Sequence, residues 1–301
     1  MGTNDTLYEL SGHQGAIYDA VWDNQRSRWL TAGGDGIVAA WKEGDPSNGK
    51  ALLHHDKAFF CVLALTSGLV AGTEDGELFF LDLEGDVSRW TAHKGGVFSL
   101  LAMEDGRVFT GGGDGRILCW KSGELVGEWT WENASKIRTL VSYEDSIFIG
   151  ASNGEGRLWN PEAPTPIKDC KALGQHLGGL YCAMRLDHKK AWITGGRDGH
   201  LRAWDDNGQP LLEIPAHEGA IYRMAISSEW LWTASRDKTV KCWSLRDLSP
   251  AYRWTHRDGG CRRSVNALAI GGPNNEWLLA GGDDRNGHAV KWRSLLPDNG
   301  G

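Results

Sequence analysis

The chain has 301 residues and a net charge of −7, which argues against a general nucleic-acid binder, since such domains are basic. A chain this long buries roughly 75% of its unfolded surface, so its core requires neither disulfide nor metal. Its 41 glycines and 16 tryptophans point to many tight turns around large, flat side chains.

The N-terminal MGTNDTLYELSG has no apolar signal core, and no stretch approaches the roughly 18 apolar residues of a membrane span. Met1-Gly2 with Thr6 fits the loose myristoylation pattern, but Thr6–Leu10 reads as a strand and the match is attributed to chance. Asn4-Asp5-Thr6 and Asn133-Ala134-Ser135 fit the glycosylation triplet, which carries no meaning in an intracellular protein. Cys61, Cys119, Cys170, Cys182, Cys242 and Cys261 form no CxxC pair. They read as buried free thiols of a reducing compartment, with secreted disulfides as the alternative. Gly300-Gly301 reads as an exposed tail.

In the first unit Ala16–Val21, Trp29–Ala32, Ile37–Trp41 and Ala51–Leu53 alternate with period two and predict four short strands. No segment shows a helical period. The same phrase returns along the chain, each unit closing on Trp41, Leu81, Trp120, Trp159, Trp204, Trp243 or Trp292. Those positions are spaced by 40, 39, 39, 45, 39 and 49 residues. Six residues before the closing position stand Asp35, Asp75, Asp114, Asn153, Asp198 and Asp237, while an insertion leaves Asp283 nine residues before Trp292. A histidine column precedes these: His13, His55, His93, then Asn133 as a poor match, then His176, His217 and His256. Four short antiparallel strands repeated every forty-odd residues predict an all-β, seven-bladed propeller. The expected blades span about 11–53, 54–91, 92–130, 131–171, 172–214, 215–255 and 256–294, the last completed by residues 6–10 in a single domain. The chain ends on three strands, Ser264–Ile270, Trp277–Gly281 and His288–Trp292, so the N-terminal strand supplies the missing outer one and removes an open edge.

These columns resemble the WD-repeat β-propellers over nearly the whole chain. The departures are that only Trp204 is followed by aspartate, only His13 is preceded by glycine, and units two, four and seven are degenerate. The resemblance implies that His13/Thr31/Asp35/Trp41, His93/Thr110/Asp114/Trp120, His176/Thr194/Asp198/Trp204 and His217/Thr233/Asp237/Trp243 form structural hydrogen-bond networks. A constellation occurring four times is bracing rather than an active site, and buried polar groups need such partners. Unit two has Ala71 and Leu81 in this pattern, and unit four has Ile149 and Asn153. No catalytic residue, cofactor or metal-ligand spacing is assigned, because the histidines stand about forty residues apart and no helix follows the Gly-Asp-Gly turns.

The resemblance also places the histidine loops and aspartate turns on one face, the top. Five residues after the histidine column come Tyr18, Phe60, Phe98, Arg138, Tyr181, Tyr222 and, across an insertion, Asn266. These rings either face a partner at the channel mouth or wedge between blades. A second variable column precedes the turn aspartate: Gly34, Glu74, Gly113, Ser152, Arg197, Arg236 and Gly282. Insertions in unit seven add Arg257, Arg262, Arg263 and Arg285. The opposite face offers Asn160–Ile167, whose three prolines predict a stiff loop.

The resulting expectation is a non-enzymatic scaffold, monomeric on its own and cytoplasmic, or nuclear in a eukaryote. It would work in a multiprotein complex, with neither membrane nor direct nucleic-acid contact. A partner's acidic or phosphorylated peptide would cross the top face, held by Tyr18, Phe60, Phe98, Arg138, Tyr181, Tyr222, Arg197, Arg236, Arg262, Arg263 and Arg285. One alternative is a reader of methylated lysine or arginine through an aromatic cage. Another is a subunit of a nucleic-acid-associated or cytoskeletal complex, since unit three also resembles the propellers of microtubule-associated WD proteins.

Overall fold

The computed structural model describes residues 6–42, 49–132 and 136–296. Met1-Gly2, Asn4-Asp5, the Asn133 column position, its triplet and Gly300-Gly301 lie outside the described residues. The described residues form seven four-stranded sheets, the blades of an all-β propeller. The first blade runs through Ile17–Asp23, Arg28–Gly33, Ile37–Lys42 and Lys50–His54, each strand antiparallel to the next. The third runs through Val97–Ala102, Arg107–Gly112, Arg116–Lys121 and Glu124–Thr130. Among the described residues helix is confined to 3-10 turns such as Ile167–Asp169 and His256–Asp258, and none is long and apolar enough to cross a membrane.

The chain divides into two compact units, one comprising residues up to Ala64 and from Arg223 onward, the other Leu65–Tyr222. The first unit contains the whole first and seventh blades. Val265–Gly271, Trp277–Gly282 and Gly287–Lys291 make three strands of the seventh, and Leu7–Leu10 joins as the fourth, pairing Leu7 with Val290 and Glu9 with His288. The chain's own beginning thus covers the edge that its end exposes, as the strand count predicts. Leu10, Trp29, Trp41, Ala267, Trp277 and Leu279 form one cluster that fills the space between the first and seventh blades. The rings of Trp22 and Trp29 meet edge to face at 5.0 Å, the offset geometry that the quadrupoles of aromatic pairs favour.

The second unit contains the whole third, fourth and fifth blades. Phe109, Ile117, Ile137, Ile149 and Trp159 pack together between the third and fourth. Phe148, Leu173, Leu180, Trp192 and Trp204 do the same between the fourth and fifth. The period-two pattern causes this layering: alternate side chains of a strand face opposite neighbours, and Arg28–Gly33 and Arg107–Gly112 are buried from their second residue onward. The outer strands show the converse, all five residues of Val87–Thr91 being exposed.

Candidate functional site

In the first blade the Thr31 hydroxyl accepts the Trp41 indole N–H at 2.8 Å and meets His13 Nε2 at 2.7 Å, while His13 Nδ1 meets Asp35 at 2.9 Å. In the third blade Trp120, Thr110, His93 and Asp114 repeat the chain at 3.3, 2.7 and 3.0 Å. Trp204, Thr194, His176 and Asp198 repeat it in the fifth, each step 2.9 Å. In the sixth, Trp243 donates to Thr233 at 2.9 Å and His217 is buried.

A hydroxyl that accepts from indole donates onward to Nε2, leaving the hydrogen on Nδ1 to face the carboxylate. The network therefore describes a neutral imidazole, and burial accordingly pushes the pKa of His93 and His176 down. The aspartate also takes backbone N–H groups from the residue after the histidine: Gln14 at 2.7, Lys94 at 2.9 and Leu177 at 2.9 Å. Burial pushes Asp114 up, but the Lys94 N–H, Arg116 and His93 together hold it at about 2. A glycine lies under each pair because a β-carbon at Gly33, Gly112 or Gly196 would stand 2.5, 2.0 or 2.4 Å from the imidazole. The columns thus brace the fold. Both imidazole nitrogens of His13, His93 and His176 are engaged, and these residues are at most 5% exposed.

The seventh blade corrects the sequence register. Arg262 N–H reaches Asp284 at 2.8 Å and Asp283 N–H reaches Ser264 O, as Gln14 reaches Asp35 and Gly34 reaches Ala16 in the first blade. The turn aspartate is therefore Asp284, not Asp283, and the histidine position belongs to Cys261, not His256. His256 is exposed in a 3-10 turn. Leu278 pairs Val290 as Trp29 pairs Trp41, so Val290 takes the tryptophan position and Trp292 lies beyond the strand. The turn carrying Arg285 has the ordinary length, and the only real insertion of this blade precedes Cys261. The second variable column here is Asp283 rather than Gly282.

The structure brings four of the expected top-face residues together within the second unit. Phe98, Arg138, Tyr181 and Tyr222 start the inner strands of successive blades, all half-buried. The Arg138 guanidinium lies 4.5 Å from the Phe98 ring centre and 4.6 Å from that of Tyr181, and Tyr181 stacks on Tyr222 at 5.7 Å. Lys136 Nζ stands 5.1 Å from the Phe98 ring centre. The rings fold back over their loops: a β-carbon at Gly96 or Gly179 would strike Phe98 or Tyr181. The column is thus a stack running from blade to blade, its edges open to solvent. Leu177, between His176 and Gly178, is 79% exposed, and Arg197 packs its stem over Gly178.

In the first unit Tyr18 meets Phe60 edge to face at 5.2 Å, and the neighbouring Asp19 accepts from Val62 N–H and Arg223. Asn266, the seventh column member, donates to Asp283 at 2.7 Å. Arg236 stands in the turn before Asp237. Arg262 and Arg285 flank Asp284, and Arg263 follows Arg262. Among the described residues Arg197, Arg236, Arg262, Arg263 and Arg285 are exposed and form no salt bridge, whereas Arg28, Arg107, Arg116, Arg185 and Arg202 are each paired to carboxylates. Sequence reasoning passed over Leu177 and Lys136. A large apolar residue in a Gly-flanked loop, and a cation two residues before Arg138, were the available signals.

Sequence comparison finds the WD domain, G-beta repeat model matched at residues 4–42, 86–121 and 208–244. Telomerase protein component 1 of Rattus norvegicus is 31% identical over 46% of this chain, a match that takes in 5% of that protein. The THO complex subunit 6 homolog of Danio rerio is 24% identical over 71% of this chain and 77% of its own length. The WD40 beta propeller domain of Doa1 superposes with a TM-score of 0.81 at 21% identity, covering 94% of this chain and 95% of that one.

Proposed function

We propose that this chain, a member of the WD-repeat β-propellers, is a non-enzymatic interaction platform that holds an acidic or phosphorylated segment of a protein partner on its top face. The family is generally a scaffold rather than a catalyst, and two relatives are named as a component and a subunit of larger assemblies. The observation that carries the reading is the half-buried stack of Phe98, Arg138, Tyr181 and Tyr222 beside the unpaired Arg197. Rings already locked by stacking lose little freedom on binding, and aromatic and arginine side chains dominate interface energetics. A guanidinium without a carboxylate partner keeps its forked donors available for a carboxylate or phosphate. Arg236, Arg262, Arg263 and Arg285, within the first unit, are likewise exposed. A partner so held fits a cytoplasmic or nuclear complex.

Arg138 also favours this reading over the methyl-cation cage. Its guanidinium already lies between the two rings that such a ligand would use, and a second cation would meet both it and Lys136. The test is binding of an immobilised library of acidic, phosphorylated and methylated peptides to the wild type and to Tyr181→Ala/Arg197→Glu. Acidic or phosphorylated peptides should be retained by the wild type and lost by the double variant with its circular dichroism unchanged. Equal retention by both proteins, or preference for methylated peptides, overturns the reading.

A further inference from the structure

The seventh blade keeps the backbone of the repeated network and replaces its side chains. Where the first, third, fifth and sixth blades seat a histidine, Cys261 stands, 3% exposed. Where they carry the strand hydroxyl and the tryptophan, Ala280 and Val290 stand. Asp284 remains, with a side chain 9% exposed, and His288 enters from the next strand, its Nε2 3.1 Å from Asp284 Oδ2. The ligand atoms of Cys261, Asp284 and His288 all lie within 4.8 Å of one another.

One atom in this group has no partner. Asp284 Oδ2 accepts from the Arg262 N–H and His288, but Asp284 Oδ1 is buried without any hydrogen bond. In the first and third blades the corresponding oxygen takes the histidine Nδ1–H. Here the seat of that imidazole is filled by a thiol. A buried carboxylate oxygen left unmatched costs free energy that no protein donor offsets at this place. A cation would satisfy it.

We infer that Cys261, Asp284 and His288 form a binding site for a borderline divalent transition-metal ion, zinc by preference. Sulfur, imidazole nitrogen and carboxylate oxygen are the ligand types that zinc takes, usually three from protein with a fourth position left for water. Ligand atoms in a tetrahedral zinc site stand about 3.3–3.6 Å apart, and the three here lie within 4.8 Å of one another. Side-chain adjustments of about 1 Å bring them to that spacing. Glu9 Oε2 stands 3.9 Å from His288 Nδ1, on the side away from the ligand atoms. A small approach of that carboxylate would give Nδ1–H an acceptor and release Nε2 from Asp284 to coordinate. Burial pushes the Cys261 thiol up, so the metal-free site holds a neutral thiol whose proton leaves as the ion enters.

The location gives the site a role. Cys261 ends the inserted loop, Asp284 holds the turn, His288 lies on the strand Gly287–Lys291, and Glu9 lies on the N-terminal strand that pairs with it. A bound ion would clamp the segment through which the chain's beginning completes its last blade. A cysteine protease-like use of Cys, His and Asp is excluded by the burial of the sulfur, which no substrate carbonyl reaches.

The test is a titration of the chelator-treated full chain with cobalt(II), followed by absorption. The wild type should bind one ion per chain with an intense thiolate-to-cobalt band, displaced by zinc, and zinc should raise Tm. Cys261→Ser should abolish the band with circular dichroism unchanged, and Asp284→Asn should weaken affinity by at least about tenfold. No band in the folded wild type at millimolar cobalt, or a band of full strength in Cys261→Ser, overturns the assignment. Should that variant fail to fold, the imidazole nitrogen resonances of His288 in the wild type decide. A shift of Nε2 on zinc addition supports coordination, and unchanged resonances refute it.

Discussion

The third and seventh blades share a backbone and differ in what it holds. Lys94 N–H reaches Asp114 as Arg262 N–H reaches Asp284, at 2.9 and 2.8 Å. The turn closes the same way, Gly113 N–H on Gly96 O and Asp283 N–H on Ser264 O. In the third blade the enclosed seat holds a histidine joined to hydroxyl, indole and carboxylate. In the seventh it holds a thiol and an unmatched oxygen. The loop and turn are therefore fixed by main-chain bonds to one carboxylate. The rest of the network is a filling that can be exchanged.

If so, removing the carboxylate should cost unequally. Asp114 accepts from His93, from Lys94 N–H and from both the backbone and side chain of Arg116. Asp284 accepts from Arg262 N–H and His288, and one of its oxygens bonds nothing. Asp114→Ala should cost about 3–5 kcal/mol, because it strands buried donors and a charged arginine. Asp284→Ala should cost about 1–2 kcal/mol in metal-free protein. Urea unfolding of the two variants measures this, and equal losses would show that the seventh seat is as fully bonded as the third.

Acid should sharpen the same contrast, more gently. The folded pKa of His93 lies below the ordinary value, burial being the main cause, so the unfolded chain takes up the proton first. Stability from this residue is complete above about pH 6.5 and declines below it. Asp114 is held at about 2 against an ordinary 3.8, and its contribution is present above that ordinary value and lost as pH falls towards 2. The shift corresponds to about 2 kcal/mol at neutral pH. Both steps have the same sign: falling pH destabilises the third blade. Protection factors across Arg107–Gly112, corrected for the intrinsic pH dependence of amide exchange, should fall between pH 6.5 and 4, and protection constant over that range would contradict the neutral-imidazole network.

The fold was legible because its signals repeat: the period of forty, the Gly-Asp turns and the missing outer strand each recur or close arithmetically. The networks of the first, third and fifth blades were legible for the same reason. The seventh blade was not. An alignment on Trp292 and His256 seeks the residues that elsewhere carry the pattern, whereas this blade keeps the backbone bonds and discards those side chains. Val290, Cys261 and Asp284 are recognisable only from strand register and main-chain hydrogen bonds. The top-face column was legible as a set of positions. That Arg138 would lie between Phe98 and Tyr181 was not, because a guanidinium at an aromatic position reads equally as exposed or stacked until the neighbouring blade is seen.

The smallest expected effect isolates the hydroxyl. Thr110 is fully buried and relays the Trp120 indole to His93. Thr110→Val keeps the shape and leaves the indole N–H and the imidazole Nε2 unmatched, a loss of about 1–2 kcal/mol. The reverse exchange, Ala280→Thr, adds a hydroxyl where Val290 and Cys261 offer neither indole nor imidazole to it. Ala280 is also fully buried, so the added atoms crowd the blade and should cost about 1 kcal/mol rather than stabilise it. The two variants would thus both lose stability although one removes the hydroxyl and the other installs it. A gain in Tm for Ala280→Thr would mean that the seventh blade still holds a seat for the network, and that its cysteine and histidine are replacements within it rather than a different site.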